Sequence, residues 1–316
     1  MLVSGPITHL AVAVVRGADR ARFLHAQLTN DVQSLQTGQT RLTGYCTAQG
    51  RVLALLRIGA LADAWIVELG RELAEPTLTR LRQFVLRADV RCALGYESIA
   101  GFGVAGPAAA GWLNARGLLP PPAGQVAGVP FDTGGTVVLA DARMPGRFAV
   151  YGPTEEIQRL QSLLPINAKQ VPAERWRWFD IAAGQPNLFK ATSGEFIPQM
   201  LNLDAIDAVS FSKGCYPGQE IVARTQYLGK IKRRMYRLHA DAFESLPEPG
   251  ALIADEAQAT VGRIVDAQPT GDGSGADLLA VIATESADTG APLFAAGTSP
   301  LRVLPLPYPL PAPRAE

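Results

Sequence analysis

The order of local patterns along this chain constrains its fold more than any one motif. Up to Leu228-Gly229, strand-like and helix-like stretches alternate. Beyond it, short strand-like runs (Met235 to His239, Ala251 to Ile253, Thr260 to Val265, Leu278 to Ile282) alternate with Pro, Gly and Asp turns, and no convincing helix remains. That texture predicts a separate, small antiparallel β-barrel or sandwich at the C-terminal end.

Upstream, Leu10 to Val15 reads as a strand ending at a Gly17-Ala18-Asp19 turn, and Asp19 opens a helix carrying Phe23, Leu24 and Leu28. Thr40 to Thr47 and Val52 to Ile58, joined by Ala48-Gln49-Gly50, read as a hairpin. Ala64 to Leu69 is a further strand. Pro76 stands where a helix can begin, with Leu78, Leu81, Phe84 and Val85 as its apolar face. Val90 to Leu94 is a short strand. The middle follows the same alternation, with a strand near Gly103, a helix from Pro107 to Arg116, strands at Val137 to Leu139 and Arg147 to Tyr151, and a helix from Thr154 to Leu164. Hairpins mixed with helices make this an α+β pattern rather than a purely parallel one. The stiff Leu119-Pro120-Pro121-Pro122 loop marks a joint. The chain is therefore divided as 1–118, 119–228 and 229–316, the first two segments being able to exchange strands.

Lys213-Gly214-Cys215-Tyr216-Pro217-Gly218-Gln219-Glu220 is the stretch that points to function. Gly214 suits a close approach or a positive φ, and Pro217-Gly218 is a strong turn signal. Cys215 is thereby presented on a turn beside Lys213, ahead of an ordered element from Glu220 to Arg224. A nearby cation and a helix start both favour the thiolate. The competing reading is an inert cysteine in a tight turn.

Charge and cysteine usage narrow the rest. Lys plus Arg and Asp plus Glu both number 29, a formal net charge of zero. That balance argues against direct tRNA binding, which needs an electrostatic footprint, although a local basic patch is compatible with it. Lys230-Ile231-Lys232-Arg233-Arg234, near Tyr227 and Tyr236, is the one basic run, and reads foremost as a charged edge strand that blocks unwanted pairing, the alternative being an RNA-binding adaptor that grips tRNA through this run. Three cysteines, at 46, 92 and 215, make no disulfide framework and no metal-ligand spacing, so a reducing cytoplasm is the expected home. Cys46 and Cys92 read as packing residues. The histidines at 9, 25 and 239 are scattered, so no metal centre is expected. Neither a signal peptide nor a membrane span is expected. Gly101 to Gly106 spells a dinucleotide fingerprint, but Pro107 follows at once and no βαβ unit fits. Trp176-Arg177-Trp178 is either a core anchor or one wall of an aromatic site.

Ser193-Gly194-Glu195-Phe196-Ile197-Pro198-Gln199, then Asn202-Leu203, then Lys213 to Arg224, together resemble the signature of the YgfZ family. That family comprises folate-binding proteins connected with iron–sulfur enzyme maintenance and tRNA modification. It is similar in turn to the T-protein aminomethyltransferase of the glycine cleavage system. Leu28 to Asp31, Ala183-Gly184-Gln185-Pro186 and Leu304 to Tyr308 extend the resemblance over nearly the whole chain. It implies two ferredoxin-like α+β segments and a C-terminal antiparallel β-barrel around a central opening that takes tetrahydrofolate. It also implies iron–sulfur enzymes or assembly proteins as partners and Cys215 as the working thiol. Lys213, Gly214, Tyr216, Gly218, Gln219 and Glu220 would support that thiol. Trp176, Gln199 and Asn202 are implied at the folate. Leu10 stands where the family has a second tryptophan, and Ala182 where it has a pterin-binding glutamate. Ala54 and Leu55 replace the acidic pair of the aminomethyltransferases. Loss of that carboxylate removes a positioned proton donor or acceptor, worth roughly 10²–10⁴ in rate, and argues against glycine cleavage activity. The alternative is a folate-dependent one-carbon enzyme with a relocated acid, for which Asp180 is the candidate.

Overall fold

The computed structural model describes residues 1–95, 98–229 and 231–311. Lys230, part of the basic run, lies outside the described residues.

The chain elements, in order, are β1 (Val3–Pro6), β2 (Leu10–Arg16), α1 (Arg20–Gln27), β3 (Thr40–Cys46), β4 (Val52–Ala60), β5 (Trp65–Gly70), α2 (Arg71–Arg82), β6 (Arg91–Leu94), β7 (Ile99–Ala105) and α3 (Ala109–Asn114). They continue as β8 (Val126–Gly128), β9 (Val137–Ala140), β10 (Arg147–Pro153), α4 (Thr154–Ser162), β11 (Lys169–Gln170), α5 (Ala173–Ala182), α6 (Gln219–Leu228), β12 (Arg233–Ala240), β13 (Leu252–Ala254), β14 (Thr260–Pro269), β15 (Ala276–Ala283), α7 (Thr284–Asp288) and β16 (Leu301–Leu304). The fold is thus mixed α+β. It divides into two units, one of Met1–Thr43 with Leu56–Trp176, the other of Gly44–Leu55 with Arg177 onward.

Two sheets have strands in the first unit. One has the order β3-β4-β5-β2-β6; its β5, β2 and β6 lie in that unit, while the ends of β3 and β4 within Gly44–Leu55 belong to the second. The path β2-α1-β4-β5-α2-β6 through it is the β-α-β-β-α-β pattern, and β2 with β5, β2 with β6 and β4 with β5 all pair antiparallel. The other has the order β11-β1-β7-β10-β9-β8. Here the N-terminal strand β1 is inserted, antiparallel to β7 and parallel to β11. The Leu119 to Pro122 loop joins α3 to β8. Phe102, Val104, Trp112, Leu113, Phe148 and Leu160 form the core beneath that sheet. Because β7 lies between antiparallel partners, Gly101 to Gly106 has no parallel βαβ setting and is a strand running into the α3 turn.

Two local expectations are corrected. Pro76 does not begin a helix: α2 starts at Arg71, whose N–H donates to His9 O at 2.8 Å, and Pro76 sits in its interior. The buried stripe Leu73, Ala74, Thr77, Leu78 and Leu81 outweighs the lost backbone bond. A short helix, α7, does occur in the C-terminal region, too brief to show a period.

In the second unit β12 to β16 form a five-stranded antiparallel sheet, order β13-β14-β15-β12-β16. Its ladders stay open. The segment Leu293-Phe294 stands between its edges through isolated bridges, Phe294 to Ala254 and Leu293 to Leu301. Of the basic run, Arg233 and Arg234 open β12 and pair only with Ala283 and Ile282 of β15, because β16 joins β12 from Arg237 onward. Among the described residues, no helix is long and apolar enough to cross a membrane.

Candidate functional site

The Cys215 loop is built on the hairpin turn between β3 and β4. That turn is closed by Thr47 N–H to Arg51 O at 2.8 Å and Gly50 N–H to Thr47 O at 3.0 Å. Gly218 rests against it with φ 84°. A Cβ on Gly218 would come within 2.5 Å of Thr47 O and 2.6 Å of Gly50 Cα. Only glycine satisfies both the backbone angle and the contact. Gly218 is also the residue from which α6 begins, and Val222 turns that helix inward. Glu220, in the first turn, complements the helix dipole.

Other loop members are likewise committed to structure. Tyr216 is buried, and burial pushes its phenol pKa upward. The Lys213 ammonium lies 4.9 Å from the centre of the Tyr216 ring. Gln219 Nε2 donates to Lys213 O at 3.4 Å. Gly214 does neither thing expected of it: its φ is outside the left-handed region and a Cβ there would meet nothing within 4 Å. That role belongs to Gly218. Cys215 itself is a free, exposed thiol. The other two cysteines contrast with it: burial pushes the Cys46 thiol up to about 12 and raises that of Cys92.

The Ser193 to Phe196 segment sits on the same hairpin, and the other motif residues tie it to α6, β12 and the tail. Gly194 N–H donates to Val52 O and Val52 N–H to Phe196 O, both at 2.8 Å. Ser193 Oγ donates to Leu53 O at 2.8 Å, and Arg51 Nη1 to Glu195 O at 2.6 Å. Gln199 is fully buried and its Nε2 donates to Val222 O at 2.8 Å, tying the segment to α6. Gln199 Oε1 is buried without a hydrogen-bond partner. Asn202, in the left-handed region at φ 57°, donates to Met235 O at 2.7 Å. Arg234 is buried in an ion pair with Asp204 at 2.8 Å. Tyr308, from the C-terminal tail, donates to Gly184 O at 2.7 Å. Segments spread between Thr47 and Tyr308 thus meet through specific hydrogen bonds.

The residues nominated for folate divide between the units. In the first, Trp176 is 2% exposed, enclosed by Gly5, Gly103 and the Arg147 guanidinium 4.7 Å from its ring centre. Within this unit the tryptophan is a core anchor. Leu10 is half-buried at the start of β2. In the second unit, Trp178 Nε1 donates to Asp277 at 3.0 Å. Asp180 is buried and accepts from Asn187 Nδ2 at 3.1 Å, a structural bond for the proposed relocated acid. Ala54 and Leu55 are buried on β4, and Ala182 ends α5, so no carboxylate stands at those positions.

Beside the loop, and wholly within the second unit, is a cleft of about 580 Å³. Arg51, Lys232, Arg233 and Arg263 line it together with Glu195 and the apolar side chains of Ile197 and Met200. Sequence gave no sign of Arg51 and Arg263, because residues so far apart leave no local signal. Among the described residues, no three His, Cys, Asp or Glu side chains gather as a metal site.

No protein-family model matches the chain. The tRNA-modifying protein YgfZ of Serratia proteamaculans (strain 568) is 30% identical over 306 residues, covering 95% of this chain and 90% of that protein. The tRNA-modifying protein YgfZ of Escherichia coli (strain SE11) is 35% identical over 243 residues, 76% of this chain and 72% of that one. Among solved structures, the glycine cleavage system aminomethyltransferase T from Bartonella henselae superposes with a TM-score of 0.76 over 97% of this chain and 86% of that one, at 16% identity. That likeness is one of fold. With near full-length identity to curated relatives and the motif segments joined by specific hydrogen bonds, the chain belongs to the family of the tRNA-modifying protein YgfZ.

Proposed function

We propose that this chain is a reduced-folate-binding accessory protein that supports iron–sulfur enzymes, and through them tRNA modification, with Cys215 as its working thiol. The observation that carries the reading is the presentation of Cys215. It is exposed, while Gly218, Tyr216 and Gln219 around it are fixed by packing and hydrogen bonds. A cysteine serving only as a packing residue is buried, as Cys46 is. The partners would be iron–sulfur enzymes or assembly proteins, met in a reducing cytoplasm where such a thiol persists.

The aminomethyltransferase-like fold supports the folate part. Its chemical support in this chain is Gln199 Oε1, a buried acceptor that an N–H on the polar edge of a pterin would satisfy. A reduced folate carries one-carbon units where an enzyme supplies an acid at the reacting nitrogen. Here Ala54 and Leu55 fill those positions, so the chain's residues serve recognition rather than one-carbon transfer.

Two assays test this. In cells lacking the protein, the wild-type chain is expected to restore iron–sulfur enzyme activity under oxidative stress, and Cys215→Ser is not; full rescue by Cys215→Ser removes the thiol from the proposal. Calorimetry with tetrahydrofolate is expected to show saturable binding, weakened about tenfold in Gln199→Met by loss of one acceptor. Absence of binding by the wild-type protein removes the folate.

A further inference from the structure

Four cations and one carboxylate border the cleft of the second unit. Arg51 comes from the hairpin turn, Lys232 from the link before β12, Arg233 from its first residue, Arg263 from β14, and Glu195 from the segment paired with Val52. Neither Lys232 nor Arg233 makes an ion pair with a described residue. Arg51 donates to a backbone carbonyl, which orients its guanidinium without neutralising it. Arg263 is held by Gly250 O at 2.7 Å, with its Nε 3.8 Å from Glu195. A chain of zero net charge therefore concentrates positive charge in one place.

The exposure of these cations selects the kind of anion. A small anionic ligand draws its affinity from convergent, desolvated donors, whereas exposed ion pairs in water are worth little. A polyanion gains instead by releasing condensed counterions, and hydrated cations suffice for that. RNA has the required charge density, and it also carries flat faces. Ile197 and Met200 give the cleft an apolar lining against which the flat face of an unpaired base can rest.

We propose that this cleft is an RNA-binding surface, with Arg51, Lys232, Arg233 and Arg263 on the phosphodiester backbone and an unpaired base against Ile197 and Met200. The assignment does not depend on folate binding or on Cys215.

The test is binding of a fluorescently labelled, unmodified tRNA transcript to the full chain across a salt series. Four contacts at about −0.7 each predict a slope of log K against log salt of about −3. Lys232→Ala with Arg233→Ala should make that slope shallower by about 1.4, and Arg51→Ala with Arg263→Ala should do the same. Tyr227→Ala, at a ring packed on Phe211 and outside the cleft lining, should leave both affinity and slope unchanged. Thermal unfolding of each variant establishes that it is folded, and the exposed Lys232 and Arg233 pair keeps the test decisive if the Arg51 and Arg263 pair is not. Absence of binding by the wild-type protein at low salt, or a slope that ignores the Lys232 and Arg233 changes, overturns the proposal. So does displacement of the transcript by poly-L-glutamate at equal charge, which would point to an acidic protein partner. Tetrahydrofolate calorimetry on the same variants is expected to be unchanged, so the two readings fail separately.

Discussion

Trp176 shows what a single residue can and cannot announce. Its neighbours in sequence, Arg177 and Trp178, left a core anchor and a ligand wall equally open. The deciding partners are Gly103 and Arg147, distant in sequence and brought together by the sheet containing β7 and β10. A Cβ on Gly103 would fall within the Trp176 ring. Gly103→Ala is therefore expected to destabilise the protein by about 1–3 kcal/mol through overpacking, read as a lower urea midpoint. Trp176→Ala would cost more, about 3–5 kcal/mol, and so reports on the core before it reports on any ligand. The Cys215 turn was legible because its information is local: Pro217-Gly218 marks a turn whatever surrounds it. The misassigned glycine, 214 for 218, was not legible, because the requirement comes from the Thr47 and Gly50 backbone.

At the scale of elements, hydrophobic period located most strands and helices, missed the short β1, β8, β11, β16 and α7 and the helix α5, and failed where tertiary packing overrode a local rule. The clearest case is α2, which passes through Pro76. Proline costs about 3 kcal/mol relative to alanine in a helix interior, offset by about 1 kcal/mol from its stiffening of the unfolded chain. Pro76→Ala, at an exposed position, is expected to stabilise the protein by about 2 kcal/mol, visible as a raised thermal midpoint. No rise would mean that the helix is already bent to accommodate the ring. The basic run shows a different failure. Sequence treats Lys232, Arg233 and Arg234 as equivalent, whereas β12 buries Arg234 against Asp204 and leaves the first two at the cleft.

For the whole molecule, the sequence carried the α+β class, the change of texture at Leu228-Gly229 and the motif segments. It did not carry the clustering of charge, since net charge is a sum and discards position. One pH effect follows from the placed charges of the first unit. Arg16 binds Asp132 through two hydrogen bonds, at 2.7 and 2.9 Å, and this holds the carboxyl below its ordinary 3.8. A carboxylate with a depressed pKa stabilises the folded state above its unfolded value and loses that contribution as pH falls through the folded one. Arg16→Ala should thus lower the urea midpoint slightly at pH 7, and the gap from wild type should close at acid pH, once the lowered pKa of Asp132 is passed. A gap of equal size at both pH values would assign the effect to packing of the arginine stem.

The insertion of β1 has a consequence for biosynthesis. Val3 to Pro6 leave the ribosome well before their sheet partners, residues 102–105 and 169–170. The segment stays without its ladder until most of the first unit has been made, exposed meanwhile as an unpaired strand. Likewise, residues 44–55 belong to a unit whose other residues begin at Arg177, so neither unit is finished when its first residues appear. Fragments cut between sheets therefore inherit incomplete units.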